Sequence, residues 1–411
     1  MALVLLTMLL GCAVFATPGV AAASSSADHA ARVEPGIEVL LHDRLDLIRG
    51  KHVGLITNPT GVDPDLTSDA VLLQHTPGVH LVALYGPEHG IEGAHQAGKQ
   101  VAGGARDPET GLPVYSLYGA HREPTPAMLK GVDVLVYDIQ PVGARFYTYL
   151  YTMADAMKAA ARAHIPFIVL DRPNPIDAVT VQGPVLEPKY ASFVGEYPIP
   201  LRYGMTVGEL AELFNNQFGI HADLIVVKMR GYKRSMYYDD TGLPFVIPSP
   251  NMPTVHTALV YPGMGLVEGT NVSEGRGTTR PFQMIGAPWI DGVALARALN
   301  AAGLKGVRFR PAYFTPTFSK YQGQLCGGVE MYVFDRDTFN PVVDALTLVK
   351  TIHDRYPKQF KFDASDFDRL VGNGWVREDI EKGVSVAAMR KRWQKRLDVF
   401  KSERAKYLLY Y

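Results

Sequence analysis

Five short apolar segments alternate with helical patterns over the first 230 residues of the chain. Near-continuous apolar runs of this length are typical of strands that are buried on both faces. The helical patterns include an alanine-rich stretch at 154–163 and a stretch at 206–218 that begins with a capping box, Thr206 and Glu209. This alternation predicts a parallel sheet with helices on both faces, that is, an α/β fold with a Rossmann-like domain over residues 37–230. The predicted strands lie at residues 53–57, 81–85, 132–138, 167–171 and 224–229.

Polar or Gly/Pro-broken loops follow four of these predicted strands. Because the carboxyl ends of parallel strands meet at one edge of a sheet, these loops should line a common crevice. The loop after the second strand carries three titratable side chains, Glu88, His89 and Glu92, directly after Gly86 and Pro87. We therefore expect the functional site to be built around this loop. The four loops contain the sequences TNPTG, GPEHG, DIQPVGARFYTY and DRPNP.

The pattern changes from about residue 231. Two stretches, 248–254 and 261–279, are long, irregular and rich in glycine, proline, serine and threonine. Long loops inside a compact protein are usually functional or disordered, and the aromatic residues around these stretches favour an ordered loop over a site. We predict that residues 231–411 form a second, smaller α/β domain that covers the cleft.

The first 23 residues have the pattern of an export signal. Residues 2–10 are apolar and small residues follow up to residue 24, a segment too short for a transmembrane span. One interpretation is a signal peptide over residues 1–23, and the other is a lipoprotein leader with a lipid anchor at Cys12. Residues 24–36 are small and polar and predict a disordered neck. We expect an exported protein, either periplasmic or extracellular, without a transmembrane domain.

The composition excludes several classes of partner and site. With 41 basic and 41 acidic residues the formal net charge is zero, which gives no electrostatic reason to expect nucleic acid as a partner. Two cysteines are too few for a cysteine-based metal site. The sequence has no G-x-S-x-G, P-loop or H-E-x-x-H motif. The loop at 58–61 also lacks the glycines of a dinucleotide fingerprint, so nothing in the sequence supports NAD.

Carboxyl groups are frequent on the strand-end loops and on the 261–279 loop. Carboxylates beside amides, hydroxyls and aromatic rings suit a polyhydroxylated ligand such as a sugar. Cleavage of a glycosidic bond usually uses two carboxyl groups, because the leaving oxygen needs a proton and the oxocarbenium-like centre needs a negative charge. One general acid raises the reaction rate only ~10²–10⁴-fold. A second charged group is therefore required. The carboxyl groups are Glu88, Glu92, Asp138, Asp171, Glu268 and Glu274, and beside them lie His89, Arg145, Tyr147, Asn174 and Arg276.

Seven motifs follow one another along the chain: TNPTG, GPEHGIEG, DIQPVGARFYTY, DRPNP, PIPLRYGMT, PSPNMPT and YPGMGLVEGTNVSEGRGTTRPFQMIGAPW. Together they resemble the exo-acting β-N-acetylmuramidases of the NamZ type, from about residue 39 to the C-terminus. The resemblance implies a Rossmann-like domain joined to a smaller α/β domain. It also implies release of N-acetylmuramic acid from the non-reducing ends of peptidoglycan-derived saccharides, without a metal or organic cofactor.

The resemblance directs the choice of catalytic residues. Glu88, the glutamate of GPEHG, is the first candidate for a catalytic carboxyl group, and Glu92 is the second. Glu268 and Glu274, from the later loop, are candidate partners. Gln283 stands where we expect relatives to carry an acidic residue, so we assign it no catalytic role.

The same loops supply candidates for substrate binding. Arg145 either pairs with Asp138 within the fold or binds the lactyl carboxylate of a muramic acid, and Arg276 is its rival for the second role. The planar guanidinium group matches a carboxylate through two parallel hydrogen bonds. The predicted substrate-binding residues are His89, Asp138, Arg145, Tyr147, Asn174, Asn271 and Arg276.

Two other functions stay open on the sequence alone. A fold does not fix a function, so the same scaffold would also suit a non-catalytic cell-wall glycan-binding protein. Alternatively, His89, Asp138 and Asp171 would be the metal ligands of a metal-dependent hydrolase. The stereochemistry is open too, since carboxyl groups ~5–5.5 Å apart predict retention and ~6.5–9.5 Å predicts inversion.

Overall fold

The computed structural model describes residues 32–101 and 103–411 of the chain. Within them, six strands form one sheet in the order β3-β2-β1-β4-β5-β8, and every neighbouring pair is parallel. The predicted parallel α/β sheet is thus confirmed, and it has in addition a short edge strand, β3, that was not among the predicted strands. The strands are β1 (His52–Thr57), β2 (His80–Gly86), β3 (Val114–Ser116), β4 (Val134–Asp138), β5 (Phe167–Leu170), β6 (Gln182–Val185), β7 (Pro200–Arg202), β8 (Leu224–Val227), β9 (Met284–Ala287), β10 (Val307–Phe314) and β11 (Cys326–Val333).

Helices cover both faces of this sheet. Alternate residues of the buried strand β4 point into two separate apolar layers, Val134 and Val136 into the layer of α1 and α2, Leu135 and Tyr137 into the layer of α3 and α4. This two-sided burial explains why the strand is apolar at consecutive positions rather than at alternate ones. The helices are α1 (Gly36–Asp43), α2 (Asp69–His75), α3 (Tyr149–Ala163), α4 (Val207–Asn216), α5 (Val255–Met264), α6 (Gly292–Ala301), α7 (Pro341–Arg355), α8 (Ala364–Val371), α9 (Trp375–Glu381) and α10 (Val386–Arg404).

Helix α4 begins at the predicted capping box. The Thr206 hydroxyl oxygen accepts a hydrogen bond from the Glu209 N–H over 3.2 Å, and the Glu209 carboxylate accepts one from the Thr206 N–H over 3.0 Å. A cap of this kind contributes ~1 kcal/mol to stability. Glu209 also pairs with Arg234 and accepts the Leu409 N–H over 2.8 Å, so the cap ties the helix to later parts of the chain.

The second half of the chain contains a smaller sheet, which is antiparallel and has the order β10-β11-β9. Helix α6 packs on β10 and β11, and α7 lies against α5 and α6. The predicted second α/β part is therefore present. Residues 32–411 cluster as one compact unit, and the predicted division near residue 230 stays a prediction.

The start of the described chain lies against the main sheet. Val33 is buried, Glu34 forms an antiparallel bridge with Arg230, and the Gly36 N–H donates to the Asp171 carbonyl over 3.0 Å. Residues 32–36, the end of the predicted disordered neck, are therefore ordered, and that part of the prediction is wrong. The predicted leader, with Cys12, lies outside the described residues. No helix in the part of the chain that the structure describes is long and apolar enough to cross a membrane.

Tyr410, near the C-terminus, forms a hydrogen bond with Asp171, the residue that follows β5. Its hydroxyl donates to Asp171 Oδ2 over 2.7 Å and accepts a hydrogen bond from the Met229 N–H over 2.9 Å. The Asp171 carboxyl group also accepts hydrogen bonds from the Thr206 hydroxyl and the Gly208 N–H, each over 2.8 Å. Burial raises the pKa of Asp171 to about 7, although these donated hydrogen bonds oppose the rise. The Asp171 carboxyl group at the carboxyl end of β5 is thus occupied by hydrogen bonds from within the protein.

Candidate active site

A cavity of about 280 Å³ lies beyond the carboxyl end of β2. One wall comes from the loops after β2 and β4, and the other comes from segments 249–252 and 261–282 together with helix α8. The structure therefore brings the GPEHG loop and the 261–279 segment together at one site, although this segment is not irregular throughout, because it begins with the last residues of α5 and a 3₁₀ helix at Gly265–Gly269. Five of the predicted site residues line this cavity, namely Glu88, His89, Tyr147, Glu268 and Arg276.

The loop after β2 turns back sharply. A Cβ atom on Gly86 would lie 2.8 Å from the Ile91 nitrogen, so only glycine allows the chain to double back here. His89 then adopts a left-handed backbone conformation with φ of 73°, which is uncommon for a residue other than glycine. Its Nδ1 atom lies 2.5 Å from the His95 carbonyl oxygen, a hydrogen bond that holds the turn in place. Such strained residues cluster at functional sites.

The same contact settles the protonation of His89. A carbonyl oxygen only accepts, so Nδ1 carries the proton and Nε2 is the ring nitrogen that is left to accept a hydrogen bond. Burial lowers the pKa of His89, and the charge of Glu88 opposes this effect. A neutral imidazole follows, which suits a hydrogen-bonding role toward a neutral sugar hydroxyl.

Glu88 is 8% exposed and lines the cavity. Its Oε1 atom accepts a hydrogen bond from the Gly98 N–H over 2.9 Å, and Oε2 accepts one from the Thr148 hydroxyl over 2.7 Å. Thr148 is the N-cap residue of α3, so the Glu88 carboxylate lies near the positive end of that helix dipole. Donated hydrogen bonds and a helix N-terminus both stabilise negative charge on Glu88.

Glu268 lies on the opposite wall, in a single turn of 3₁₀ helix at Gly265–Gly269. Arg276 Nη2 donates to its Oε1 over 3.2 Å. Burial raises the pKa of Glu268, while the charge of Arg276 works in the opposite direction and the nearby Glu274 adds to the rise. A carboxyl group with a raised pKa retains its proton to higher pH, which suits a general acid.

Glu274 supports this wall from behind without lining the cavity. Its side chain is buried between Arg276 Nε at 3.4 Å and Lys320 Nζ at 3.1 Å. Lys320 also donates to the carbonyl oxygens of Val267 and Glu268, over 3.2 and 2.9 Å. These contacts fix the turn that carries Glu268. They also orient the Arg276 guanidinium group toward the Glu268 carboxyl group.

Aromatic side chains close the cavity between the two walls. The rings of Tyr147 and Tyr261 meet edge to face at 6.0 Å, and Tyr261 meets Phe282 in the same way at 4.7 Å. The Phe146 ring also meets Tyr261 edge to face at 5.0 Å. Burial raises the pKa of Tyr147, so its hydroxyl is neutral and available for hydrogen bonds.

Asp138 and Arg145 are both fully buried and lie outside the cavity. Asp138 pairs with Arg172, whose Nη2 lies 2.9 Å from Oδ2, so the ion pair with Arg145 that the sequence suggested is not formed. Arg145 instead donates to the Leu370 carbonyl oxygen over 2.5 Å, near the end of α8. Burial lowers the pKa of Arg145 to about 10. Its contacts hold helix α8 rather than a ligand.

Three further predicted residues also lie away from the cavity. Glu92 is exposed on the loop after β2. The Asn174 side chain donates to the Met205 carbonyl oxygen over 2.8 Å, and the Asn271 side chain donates to the Gln359 carbonyl oxygen over 2.8 Å. Both asparagines therefore connect segments of the fold, while Glu92 faces solvent.

The three ligands of the metal-dependent alternative belong to separate sets of contacts. Asp138 forms an ion pair with Arg172, and Asp171 accepts a hydrogen bond from the Tyr410 hydroxyl. His89 forms a hydrogen bond with the His95 carbonyl oxygen in its own loop. Across residues 32–101 and 103–411, no group of three or more His, Cys, Asp or Glu side chains is placed to hold a metal ion. The geometry gives this hypothesis no support.

Thr148, Asp366 and Arg369 are among the cavity-lining residues that the sequence did not single out. Thr148 follows Tyr147 inside the DIQPVGARFYTY motif, so the motif itself was an available signal. Asp366 and Arg369 lie on α8, whose mixture of charged and apolar residues is that of an ordinary amphipathic surface helix. No local pattern marks that helix as part of a site.

Two family models match the chain in succession. The model described as exo-beta-N-acetylmuramidase NamZ, N-terminal, matches residues 53–256, and its C-terminal counterpart matches residues 259–410. Together they span both walls of the cavity.

Individual proteins match over most of the chain as well. Peptidoglycan beta-N-acetylmuramidase NamZ of Bacillus subtilis (strain 168) is 57% identical over 380 residues, which is 92% of each chain. Two crystal structures of DUF1343 family proteins from Bacteroides fragilis NCTC 9343 cover 92% of this chain and 99% of their own. They have TM-scores of 0.86 at 42% identity and 0.75 at 32% identity. With both domain models matched and more than half of its residues shared with a curated member, the chain belongs to the NamZ family of exo-β-N-acetylmuramidases.

Proposed function

We propose that this protein is an exo-acting β-N-acetylmuramidase that releases N-acetylmuramic acid from the non-reducing ends of peptidoglycan fragments, with Glu88 and Glu268 as its carboxyl pair. The observation that carries this proposal is the cavity itself, which in this member of the family is lined by Glu88 from the loop after β2 and by Glu268 from the 265–269 turn. Two carboxyl groups on either side of the bond are the usual requirement for glycoside hydrolysis.

The contacts of the two glutamates support different roles. Glu268, with its raised pKa, donates a proton to the glycosidic oxygen as the bond breaks. Glu88, with two donated hydrogen bonds, provides the negative charge that stabilises the oxocarbenium-like centre at the sugar carbon. The different surroundings of the two carboxyl groups suit the division of labour between an acid and a charged stabilising group.

Arg276 connects the acid to the rest of its wall. Arg276 donates a hydrogen bond to Glu268, and its guanidinium group lies over the Phe282 ring at 5.0 Å. These two contacts fix the position and the orientation of its positive charge. After proton transfer, the charge on Glu268 is balanced by this guanidinium group. Burial thus favours the protonated form of Glu268, and Arg276 favours the ionised form that follows proton transfer.

The size of the cavity supports action at chain ends. About 280 Å³ is at the small end of ligand pockets, which run from ~300 to 1,000 Å³. A pocket of this size accommodates one terminal sugar with its substituents, rather than the middle of a glycan strand. The aromatic wall supplies apolar contact for the sugar ring.

A pair of disaccharides tests the proposal. The purified protein should release free N-acetylmuramic acid from a disaccharide in which β-linked N-acetylmuramic acid is the non-reducing sugar. It should leave intact the reversed disaccharide, in which N-acetylglucosamine is at the non-reducing end. Binding of the first disaccharide without any product would favour the non-catalytic glycan-binding hypothesis instead. Activity that a chelator abolished and a divalent ion restored would favour the metal-dependent one.

We also propose that the protein is exported. The support is the apolar run at residues 2–10 with the small residues that follow, together with a proposed substrate that lies outside the cytoplasmic membrane. Cell fractionation and mass determination of the mature N-terminus distinguish the two leaders. Cleavage near residue 23 indicates a signal peptide, and an acylated N-terminal Cys12 indicates a lipoprotein. A full-length protein confined to the cytoplasm would contradict both.

A further inference from the structure

N-acetylmuramic acid differs from N-acetylglucosamine by a lactyl ether on O3 that ends in a carboxylate. A site that selects the first sugar therefore gains most from a guanidinium group placed for this carboxylate. Of the described residues that line the cavity, Arg276 and Arg369 carry permanent positive charge. We propose that Arg369 binds the lactyl carboxylate and so determines specificity, a role that rests on the proposed function above.

Arg276 is already committed to other carboxylates. It is 14% exposed and lies between Glu268 at 3.2 Å and Glu274 at 3.4 Å. A substrate carboxylate bound there would add a third negative charge to a site that already holds two. It would also draw the guanidinium away from the proposed acid, so chemistry and recognition would compete for one group.

Arg369 has no such commitment. Its side chain is 49% exposed, and its one ion-pair partner in the part of the chain that the structure describes is Asp366, one helical turn away. Ion pairs between exposed side chains contribute little to stability, so a ligand carboxylate can replace or share this contact at small cost. A guanidinium group has five N–H donors, which is enough for both carboxylates.

The fold fixes the helix that carries Arg369 against the wall that carries Glu268. A Cβ atom on Gly269 would lie 2.5 Å from the Phe367 Cα atom, so the absence of a side chain there lets α8 pack directly on the 265–269 turn. The buried Arg145 guanidinium holds the other end of α8 through the Leu370 carbonyl oxygen. Arg369 is thus presented from a rigid element beside the proposed acid, as a selective contact requires.

Three chromogenic glycosides that differ only at O3 test this proposal. They are the β-N-acetylmuramic acid glycoside, the same compound with its lactyl carboxylate as the methyl ester, and the β-N-acetylglucosamine glycoside. For Arg369→Gln we expect kcat/KM on the first compound to fall by about 10- to 100-fold, mostly through KM, as for loss of a hydrogen bond to a charged group. The variant should treat the free acid and the methyl ester nearly alike.

The conservative variant and a surface control complete the experiment. Arg369→Lys keeps the charge but loses the planar fork, so it should retain part of the preference for the acid over the ester. Arg355→Gln, at an exposed position on α7, should behave as the wild type does on all three compounds.

The outcomes separate this inference from the proposed function. An Arg369→Gln variant that kept the wild-type ratio of acid to ester would overturn the role of Arg369, whether or not its overall activity fell. If the wild-type protein itself released nothing from any of the three compounds, the proposed function would fail first. Loss on the acid alone, with the ester unchanged, is the result that supports the inference.

Discussion

The Thr148 hydroxyl donates to Oε2 of Glu88 over 2.7 Å and so joins the loop after β4 to the loop after β2. The strand between these two loops in the sheet is β1, which means that the hydrogen bond crosses the carboxyl edge of the sheet. It fixes one oxygen of the proposed catalytic carboxylate, while the Gly98 N–H fixes the other. Glu88 is therefore held in one orientation before any substrate arrives, which is the preorganisation that catalysis by charge requires.

Glu88→Gln tests the centre of the site. The amide keeps the shape of the side chain but removes its charge, so we expect kcat to fall by at least ~10²-fold with little change in melting temperature. Glu92→Gln is the matched control, since Glu92 belongs to the same loop but is exposed and outside the cavity. Steady-state kinetics with the β-N-acetylmuramic acid glycoside compares them. A large loss in Glu92→Gln with a small loss in Glu88→Gln would reverse our assignment.

Glu268→Gln should show a dependence on the leaving group. A nitrophenolate leaves without a proton, whereas a sugar hydroxyl needs one, so the variant should lose much more activity on a disaccharide than on a nitrophenyl glycoside. The alkaline fall of kcat/KM should also disappear, because that fall follows loss of the proton from Glu268. Rates on both substrates across pH measure this. Equal losses on the two substrates would contradict a general-acid role.

Arg276→Gln should move the alkaline limb of the pH profile. The positive charge of Arg276 lowers the pKa of Glu268, so removing it raises that pKa and shifts the fall in kcat/KM to higher pH. Arg276→Lys keeps a positive charge and should shift the limb less. Profiles of kcat/KM against pH for the two variants and the wild type measure this shift. A shift of the glutamine variant toward lower pH would show that Glu268 is not the group that titrates.

Gly269→Ala should separate α8 from the 265–269 turn. The added Cβ would lie 2.5 Å from the Phe367 Cα atom and 2.6 Å from its nitrogen, and neither backbone atom can move freely. Overpacking of this kind costs about 1–3 kcal/mol, which thermal or urea unfolding detects. Gly195→Ala is the control, because its Cβ would lie 3.4 Å or more from its neighbours. Equal stability of the two variants would contradict the close approach of α8.

Asp344 gives a prediction about stability and pH. Burial raises its pKa to about 8, and its Oδ2 atom has no hydrogen-bond partner among the described residues. Between the ordinary aspartate pKa of 3.8 and about 8, the folded protein keeps a proton that the unfolded chain has lost. The free energy of unfolding should therefore fall as pH rises through this window.

Asp344→Asn should remove this contribution, so urea unfolding at pH 5 and pH 8 should give a smaller difference than in the wild type. Asp46→Asn, at an exposed position, should keep the wild-type difference. An unchanged difference in Asp344→Asn would show that the folded protein ionises this group as readily as the unfolded chain does.

The sheet and one wall of the site could be predicted because their causes are local. Consecutive apolar residues mark a strand that is buried on both faces, and a Gly-Pro break with titratable residues marks its functional end. Inside a motif, however, the sequence does not show which residues face a ligand. Arg145 and Asn174 occupy motif positions as Glu88 does, but their side chains satisfy backbone carbonyls of the fold.

The other wall depends on contacts between distant segments. Arg369 reaches the cavity because α8 packs on Gly269, about a hundred residues earlier in the chain. Neither segment has a pattern that refers to the other: one is a glycine at the end of a 3₁₀ helix and the other is an amphipathic helix. Packing of this kind is decided by complementary shape in three dimensions, which a single sequence does not display.

The bond between Tyr410 and Asp171 has a consequence for the order of folding. Its two residues are 239 positions apart, and Glu209 likewise receives the Leu409 N–H across 200 positions. A fragment that ended at residue 256, where the N-terminal family model ends, would contain the whole parallel sheet but lack both donors. In this fragment the carboxyl groups of Asp171 and Glu209 would each lack one of the hydrogen bonds that they accept in the complete chain. The sheet therefore reaches its final stability only after the C-terminal segment, with Leu409 and Tyr410, has folded back on it, so the two halves should unfold in a single cooperative transition rather than one after the other.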